Sequence, residues 1–313
     1  TATVAAMGSI LIPAMVAQGY DAGFSSALSA ISGSLGTVIP PSITFIIYGM
    51  ITGESIGDLF LSGIVPGLIF GFMLCIMVFI KSKKNGWKGE TQRASLKEIG
   101  RLFLDTIWGL LSPVIVLGGI YSGLFTPTEA AAVAVVYSLI VGIFIYKELR
   151  LAELKETLFS TAKTTGMILL IIMNAGIFSW VLTQQGIAAS LTEMALALTD
   201  NKYIMLVIIN IVFLCAGCVM DNTSALYILV PIIMPIAKAL DINMIQLGVI
   251  LVLNLSIGQV TPPVGPNLYV AADIGKVKFE EICRKMVPLL LMSLLALLCI
   301  TYIPALSLCL IPS

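Results

Sequence analysis

The chain has 313 residues, 58% hydrophobic and only 11% charged, with a mean hydropathy of +1.05. That composition excludes an ordinary soluble domain and indicates a membrane protein. Net charge is zero, so nucleic-acid binding has no electrostatic support, and the lack of any histidine removes His acid/base catalysis, His metal sites and His proton relays.

The first residues, TATVAAMGSI, carry neither an initiator Met nor a charged signal region and begin in mid-pattern, so a fragment is expected. A polar break, SLGTVIPPS (Ser34 to Ser42), interrupts the apolar sequence that follows. Spans about 20 residues long are then predicted at Leu59 to Ile80, Leu102 to Ser122, Thr128 to Tyr146, Thr161 to Gln184 and Ile282 to Ile303. Within the first, GIVPGLIFG repeats Gly at four-residue spacing and predicts close helix packing. SLKEIGRLFLDTIWGLL (from Ser95) and ELRLAELKETLF (from Glu148) read as interfacial arm helices, the former turning inward to its span. Glu129, after Thr126 and Pro127, reads as a helix-capping residue.

Further on, an apolar limb (Ile204 to Val219) meets MDNTSA (Met220 to Ala225), and a second limb runs to about Leu240. If MDNTSA is a turn, the limbs form a re-entrant hairpin. Cys215 and Cys218 lie in the first limb without redox context and read as packing thiols. A second break, SIGQVTPPVGPN (Ser256 to Asn267), follows, and Asp273 reads as interfacial.

Shifting the sequence by 222 positions superposes the two breaks at Ser, Gly, Val, Pro and Pro, and pairs Thr1 with Thr223, Pro13 with Pro235, Gly53 with Gly275 and Pro66 with Pro288. Four full spans separate the breaks, so the repeat is inverted. Inverted repeats with Gly/Pro-interrupted segments point to a secondary transporter with its site at the interruptions. Lys and Arg cluster at 81–101, 147–163 and 276–285, 15 of 17, with only Lys202 and Lys238 elsewhere. Alternating spans put the three clusters on one side, which the positive-inside rule makes cytoplasmic.

Proline removes N–H donors and leaves carbonyls free, and carbonyl, hydroxyl and amide oxygens suit alkali cations. The prolines are expected to free the carbonyls of Ser256 to Gln259. A plain proline kink is the alternative, which duplication with Ser and Gly disfavours. Asp221 is an acid at mid-membrane depth, readable as a cation ligand and as the cap of the second limb, two roles that are compatible.

At GTVIPPSITFIIYGMITGESIGDLFLSGIVPG, GLFTPTEAAAVAVVYSL and the long segment from MDNTSALYILVP to PPVGPNLYVA, the chain resembles the large membrane subunit of tripartite ATP-independent periplasmic (TRAP) transporters, lacking that subunit's first spans. The resemblance implies a sodium-driven importer of carboxylate-bearing solutes, of sialic acid or C4-dicarboxylate type, in the bacterial inner membrane. It implies a periplasmic substrate-binding protein and a small four-helix membrane subunit, separate or fused, as partners. The implied fold is all-α and polytopic, with inverted repeats, re-entrant hairpins and broken helices, and it works as an elevator of the ion-transporter-superfamily kind. Mapped on this chain, residues 1–54 and 202–275 form the transport domain, 55–201 mainly scaffold with the arm helices, and 276–313 a C-terminal span.

On this reading no cofactor is needed beyond sodium as the coupling ion. One sodium site uses Ser34, Gly36 and Thr37 with the hairpin tip near Thr1. A second uses Asp221, Asn222, Thr223, Ser256, Gly258 and Thr261. No Arg or Lys lies at the breaks, so Thr44, Asn222 and Asn267 are the substrate candidates. The alternatives are a stand-alone divalent-anion/sodium symporter working without a binding protein, a channel, and an intramembrane aspartyl enzyme using Asp221, for which no matching second aspartate is found.

Overall fold

The computed structural model describes residues 1–87 and 95–311. Lys88 and Arg93 of the first basic cluster, and residues 312–313, lie outside the described residues. In chain order the helices begin with α1 (Ala2–Ala17), α2 (Ala22–Ser34), α3 (Ile43–Thr52), α4 (Ile56–Asn85), α5 (Leu96–Tyr121), α6 (Pro127–Ile140) and α7 (Leu151–Gln184). They continue with α8 (Ile187–Leu198), α9 (Lys202–Val219), α10 (Asn222–Ala239), α11 (Met244–Gly258), α12 (Pro266–Gly275), α13 (Phe279–Tyr302) and α14 (Ala305–Leu308). No strand occurs among the described residues. Seven helices among them are long and apolar enough to cross a bilayer, counting α6 together with the turn that continues it to Ile145, and each of the five spans expected from the sequence lies within one of these or overruns its end by at most two residues. The chain is an all-α, multi-pass membrane protein.

Local chemistry fixes the boundaries. Asp21 caps α2 by accepting from the Phe24 N–H at 2.8 Å, and Asn243 caps α11 by accepting from Ile245 and Gln246. Ser95 with Glu98, and Thr126 with Glu129, form reciprocal capping boxes that start α5 and α6, the second with Pro127 in its first turn. Gly53 ends α3 at φ 79°, a left-handed conformation that glycine adopts without a Cβ clash.

The chain divides into two compact units, one of Thr1–Glu90 with Ile177–Ser313, the other of Thr91–Gly176. In the first, the repeat is a repeat of elements. Adding 222 to the starts of α2, α3 and α4 gives 244, 265 and 278, and α11, α12 and α13 begin at 244, 266 and 279. Packing is reciprocal: α1 lies on α2 and α12, while α10 lies on α11 and α3. Each limb therefore covers the far half of the other repeat's broken helix.

The core runs along α11, where every residue from Gln246 to Gly258 is buried, as expected of a helix that is apolar on all sides. Its polar residues are cross-linked. Asn254 Nδ2 donates to Asn210 Oδ1 of α9 at 2.7 Å, Asn210 Nδ2 donates to Thr301 Oγ1 of α13 at 3.1 Å, and Gln246 Nε2 donates to Thr301 O at 3.1 Å. The glycine stripe of α4 packs as predicted: a Cβ at Gly63 would meet Phe45 at 2.6 Å and Val38 O at 2.8 Å, and one at Gly67 would meet Ile39 at 2.7 Å.

In the second unit α5 and α6 pair, with the Tyr137 hydroxyl donating to Trp108 O at 2.6 Å and that of Tyr146 to Asp105 O at 3.1 Å. The arm segments correct the expectation of an inward turn. The arm beginning at Ser95 runs without interruption into its span as α5, with no proline before Pro113. The second arm continues as α7, whose 34 residues extend about 51 Å at 1.5 Å per residue, well beyond the ~30 Å hydrocarbon core. Asp273 is exposed and pairs with Lys276 at 3.4 Å.

Candidate functional site

The first break starts at the end of α2. Ser34 is buried and its hydroxyl donates to Ile31 O at 2.7 Å, after which Leu35–Thr37 tightens into a 3-10 turn. Thr37 Oγ1 donates to Ser34 O at 2.8 Å, and Ser42 Oγ donates to Thr37 O at 2.5 Å while capping α3. The start of α1 lies against this turn, because a Cβ at Gly33 would collide with Val4 and one at Gly36 would lie 3.5 Å from Thr3 Oγ1. Gly36 is exposed, as are Ile39 and Pro41 further along the break.

The second break does not leave its carbonyls open in the way the prolines suggest. Ile257 O accepts from Val260 N and Thr261 Oγ1, Gly258 O accepts from Thr261 N at 2.9 Å, and Gln259 O accepts from Asn267 N at 3.2 Å. Among the described residues, only Ser256 O of the four expected carbonyls receives no such bond. The expectation of four freed carbonyls is therefore corrected to one. The missing proline donors are replaced by i+3 bonding and by an N–H from the far side of the loop.

The hairpin tip closes on the second break. Asp221 caps α10, with Oδ2 accepting from the N–H groups of Thr223 and Ser224 and Oδ1 from the Ser224 hydroxyl at 2.6 Å. Beside it, Asn222 is buried, and Asn222 Oδ1 accepts from Gln259 Nε2 at 3.0 Å. Gln259 Oε1 in turn accepts from Asn267 Nδ2 at 3.2 Å, while the fully buried Asn267 Oδ1 has no protein partner. Backbones meet here as well: a Cβ at Gly258 would stand 2.6 Å from the C and Cα atoms of Gly217.

The residues singled out in sequence are thus brought into two joined groups. The hydroxyl oxygens of Thr37 and Ser256, expected in separate sites, lie in contact with each other across the repeat. Ser256 Oγ donates to Val252 O, and Thr261 Oγ1 to Ile257 O, each at 2.8 Å. Thr44 is buried in the first turn of α3, on which α10 packs. Thr1 is exposed at the start of α1 and makes no side-chain cap. Sequence reasoning missed Gln259, the amide that joins Asn222 to Asn267. Its only signal is a glutamine inside a Gly/Pro break. No group of three or more His, Cys, Asp or Glu side chains suited to a metal occurs among the described residues. The oxygens gathered here are those of hydroxyls, amides and carbonyls, with the Asp221 carboxylate at the hairpin tip.

Comparison with known proteins places the chain in a family. The family described as "Tripartite ATP-independent periplasmic transporter, DctM component" matches residues 1–306. The chain is 42% identical over 304 residues to the isethionate TRAP transporter permease DctMQ of Oleidesulfovibrio alaskensis, covering 97% of this chain and 48% of that protein. It is 43% identical over 309 residues to the C4-dicarboxylate TRAP transporter large permease of Pseudomonas aeruginosa, covering 99% and 72%. A sialic acid TRAP transporter large permease of Vibrio cholerae is 35% identical over 302 residues, covering 96% and 70%. The chain thus spans about half of the first relative's length and over two thirds of the others'.

Proposed function

The chain belongs to the DctM component of the tripartite ATP-independent periplasmic transporters, and from that premise we propose that it forms the sodium-coupled translocation path for a small organic anion. It is a transporter component and not an enzyme, so the aspartyl-protease reading of Asp221 falls. It acts in the bacterial inner membrane, with its basic clusters toward the cytoplasm. Its proposed partners are a periplasmic binding protein that delivers the anion and a small membrane subunit. The relatives are named for isethionate, C4-dicarboxylates and sialic acid, which widens the proposed cargo from carboxylates to carboxylates and sulfonates.

The observation that carries sodium coupling is the Thr37–Ser256 pair. Each hydroxyl has one proton and a backbone carbonyl ready to take it, Ser34 O for Thr37 and Val252 O for Ser256. With both protons so directed, two oxygens face each other through lone pairs, a donor set that suits a hard cation. Ser256 O supplies a third oxygen. Because one hydroxyl belongs to each repeat, a cation on this pair ties the two breaks together. The substrate sits in this reading beside Asn222, Gln259 and Asn267, with amides in place of a cationic side chain. Residues 1–54 and 202–275 form the transport body of an elevator, and α13 travels with them through its polar links to α9 and α11.

Reconstitution of the whole permease with its partners in liposomes tests the proposal. Uptake driven by a sodium gradient should vanish when potassium replaces sodium, and Thr37→Val should weaken sodium dependence more than it weakens folding. Sodium-independent uptake would refute the coupling, while uptake without the binding protein would favour a stand-alone symporter.

A further inference from the structure

Three elements of the first unit enclose a cavity of about 150 Å³ lined by Phe24, Lys81, Asn85, Trp87, Arg284 and Lys285. Lys81 and Asn85 share one face of the last turns of α4, being four residues apart. Arg284 and Lys285 come from the second turn of α13. Trp87 forms a wall, its ring held between Tyr20 and Phe24 with centroids 5.1 Å from each. One carboxylate answers these charges: Asp21 Oδ1 pairs with Lys285 Nζ at 3.0 Å. Glu281 lies against Gly23 and does not line the cavity, and among the described residues neither Lys81 nor Arg284 forms an ion pair.

The cavity adjoins exposed apolar surface. Within a turn or two of the cations, α4 exposes Phe79 and Ile80 by 69% and 50%, and α13 exposes Val287 and Leu291 by 53% and 63%. A basic pocket between membrane helices on the cytoplasmic side, continued by apolar helix faces, matches a ligand with a phosphate at one end and hydrocarbon at the other. We propose that this cavity binds the phosphate of an anionic phospholipid from the cytoplasmic leaflet. A soluble phosphate ester shares the charge but makes no use of the apolar faces. The lipid fastens the end of α4 to the start of α13, the equivalent elements of the two repeats.

The test uses the whole permease complex in detergent, probed with phosphatidylglycerol, with phosphatidylcholine and with inorganic phosphate. Native mass spectrometry should retain phosphatidylglycerol, and that lipid alone should raise the melting temperature. Arg284→Gln and Lys81→Gln should each weaken retention about fivefold, and Lys155→Gln, in another cytoplasmic cluster, should not. Asn85→Asp places a negative charge at the exposed rim without removing a packed group, so it decides the matter if the other variants fold poorly. Unchanged retention in Asn85→Asp, or equal stabilisation by phosphatidylcholine, overturns the proposal. Protection by inorganic phosphate equal to that by the lipid assigns the cavity to a soluble anion and overturns the lipid.

Discussion

Gly258 and Gly217 touch backbone to backbone, which fixes the second break against the tip-forming limb α9. A methyl group at Gly258 would meet main-chain atoms that cannot rotate away. Gly258→Ala should therefore destabilise the protein by about 1–3 kcal/mol, the usual cost of overpacking. Its repeat equivalent Gly36 has only Thr3 Oγ1 within 3.5 Å, an ordinary contact, so Gly36→Ala should melt near the wild-type temperature. Thermal unfolding in detergent separates the two, and equal shifts would mean that the Gly217 contact yields.

Gln259→Met removes the link between Asn222 and Asn267 and leaves Asn222 Oδ1 and Asn267 Nδ2 buried without it. Each stranded group costs about 1–3 kcal/mol. The variant should lose thermal stability and also uptake. Adding Asn222→Ala should cost less than the sum of the single changes, because they break the same bond. A fully additive double variant would show that the amides act independently.

Replacing Pro262 and Pro263 by Ala supplies two N–H groups that compete for Gly258 O and Gln259 O, now served by Thr261 N and Asn267 N. Alanine is favoured in a helix by roughly 3 kcal/mol per position, enough to drive that exchange. We expect a folded protein that has lost its stabilisation by sodium. Normal transport with unchanged sodium response would reduce the prolines to a bend.

Burial raises the pKa of Asp21, but the Phe24 N–H, the Lys285 bond and the charges of Lys285 and Arg284 outweigh it and hold the carboxyl below its ordinary value. A lowered folded-state pKa means that the contribution is complete above the unfolded value, about 3.9, and is lost as pH falls below it. The pair is about one third exposed, so the effect is about 0.2–1 kcal/mol. Asp21→Asn keeps the cap oxygen and should flatten this part of the melting profile between pH 5 and pH 3, readable in thermal scans.

Much of the fold was legible because its signals are local. The Pro-Pro breaks, the MDNTSA turn and the Thr126–Glu129 box each specify backbone geometry within a few residues. The duplication then carried those boundaries from one half to the other. What failed was accounting across loops. Counting only i+4 partners left the carbonyls of Gly258 and Gln259 empty, whereas Thr261 and Asn267 fill them from positions a helix pattern does not anticipate. Gln259 escaped notice for a related reason, since Asn222 reaches it across 37 residues. Asp221 was balanced between cap and ligand, and the bonds to Thr223 and Ser224 establish the cap.

The amide chain from Asn254 through Asn210 to Thr301, with Gln246 on the same residue, acts as a pawl. Sliding α13 by one residue past α9 and α11 would pull Thr301 from both Asn210 and Gln246 at once. These side chains are buried, so water does not readily take over, and each abandoned group costs about 1–3 kcal/mol. Helices joined only by apolar contact can creep by fractions of a turn, but a notched set cannot. Any stroke that displaces α11 must therefore carry α9 and α13 with it in fixed register.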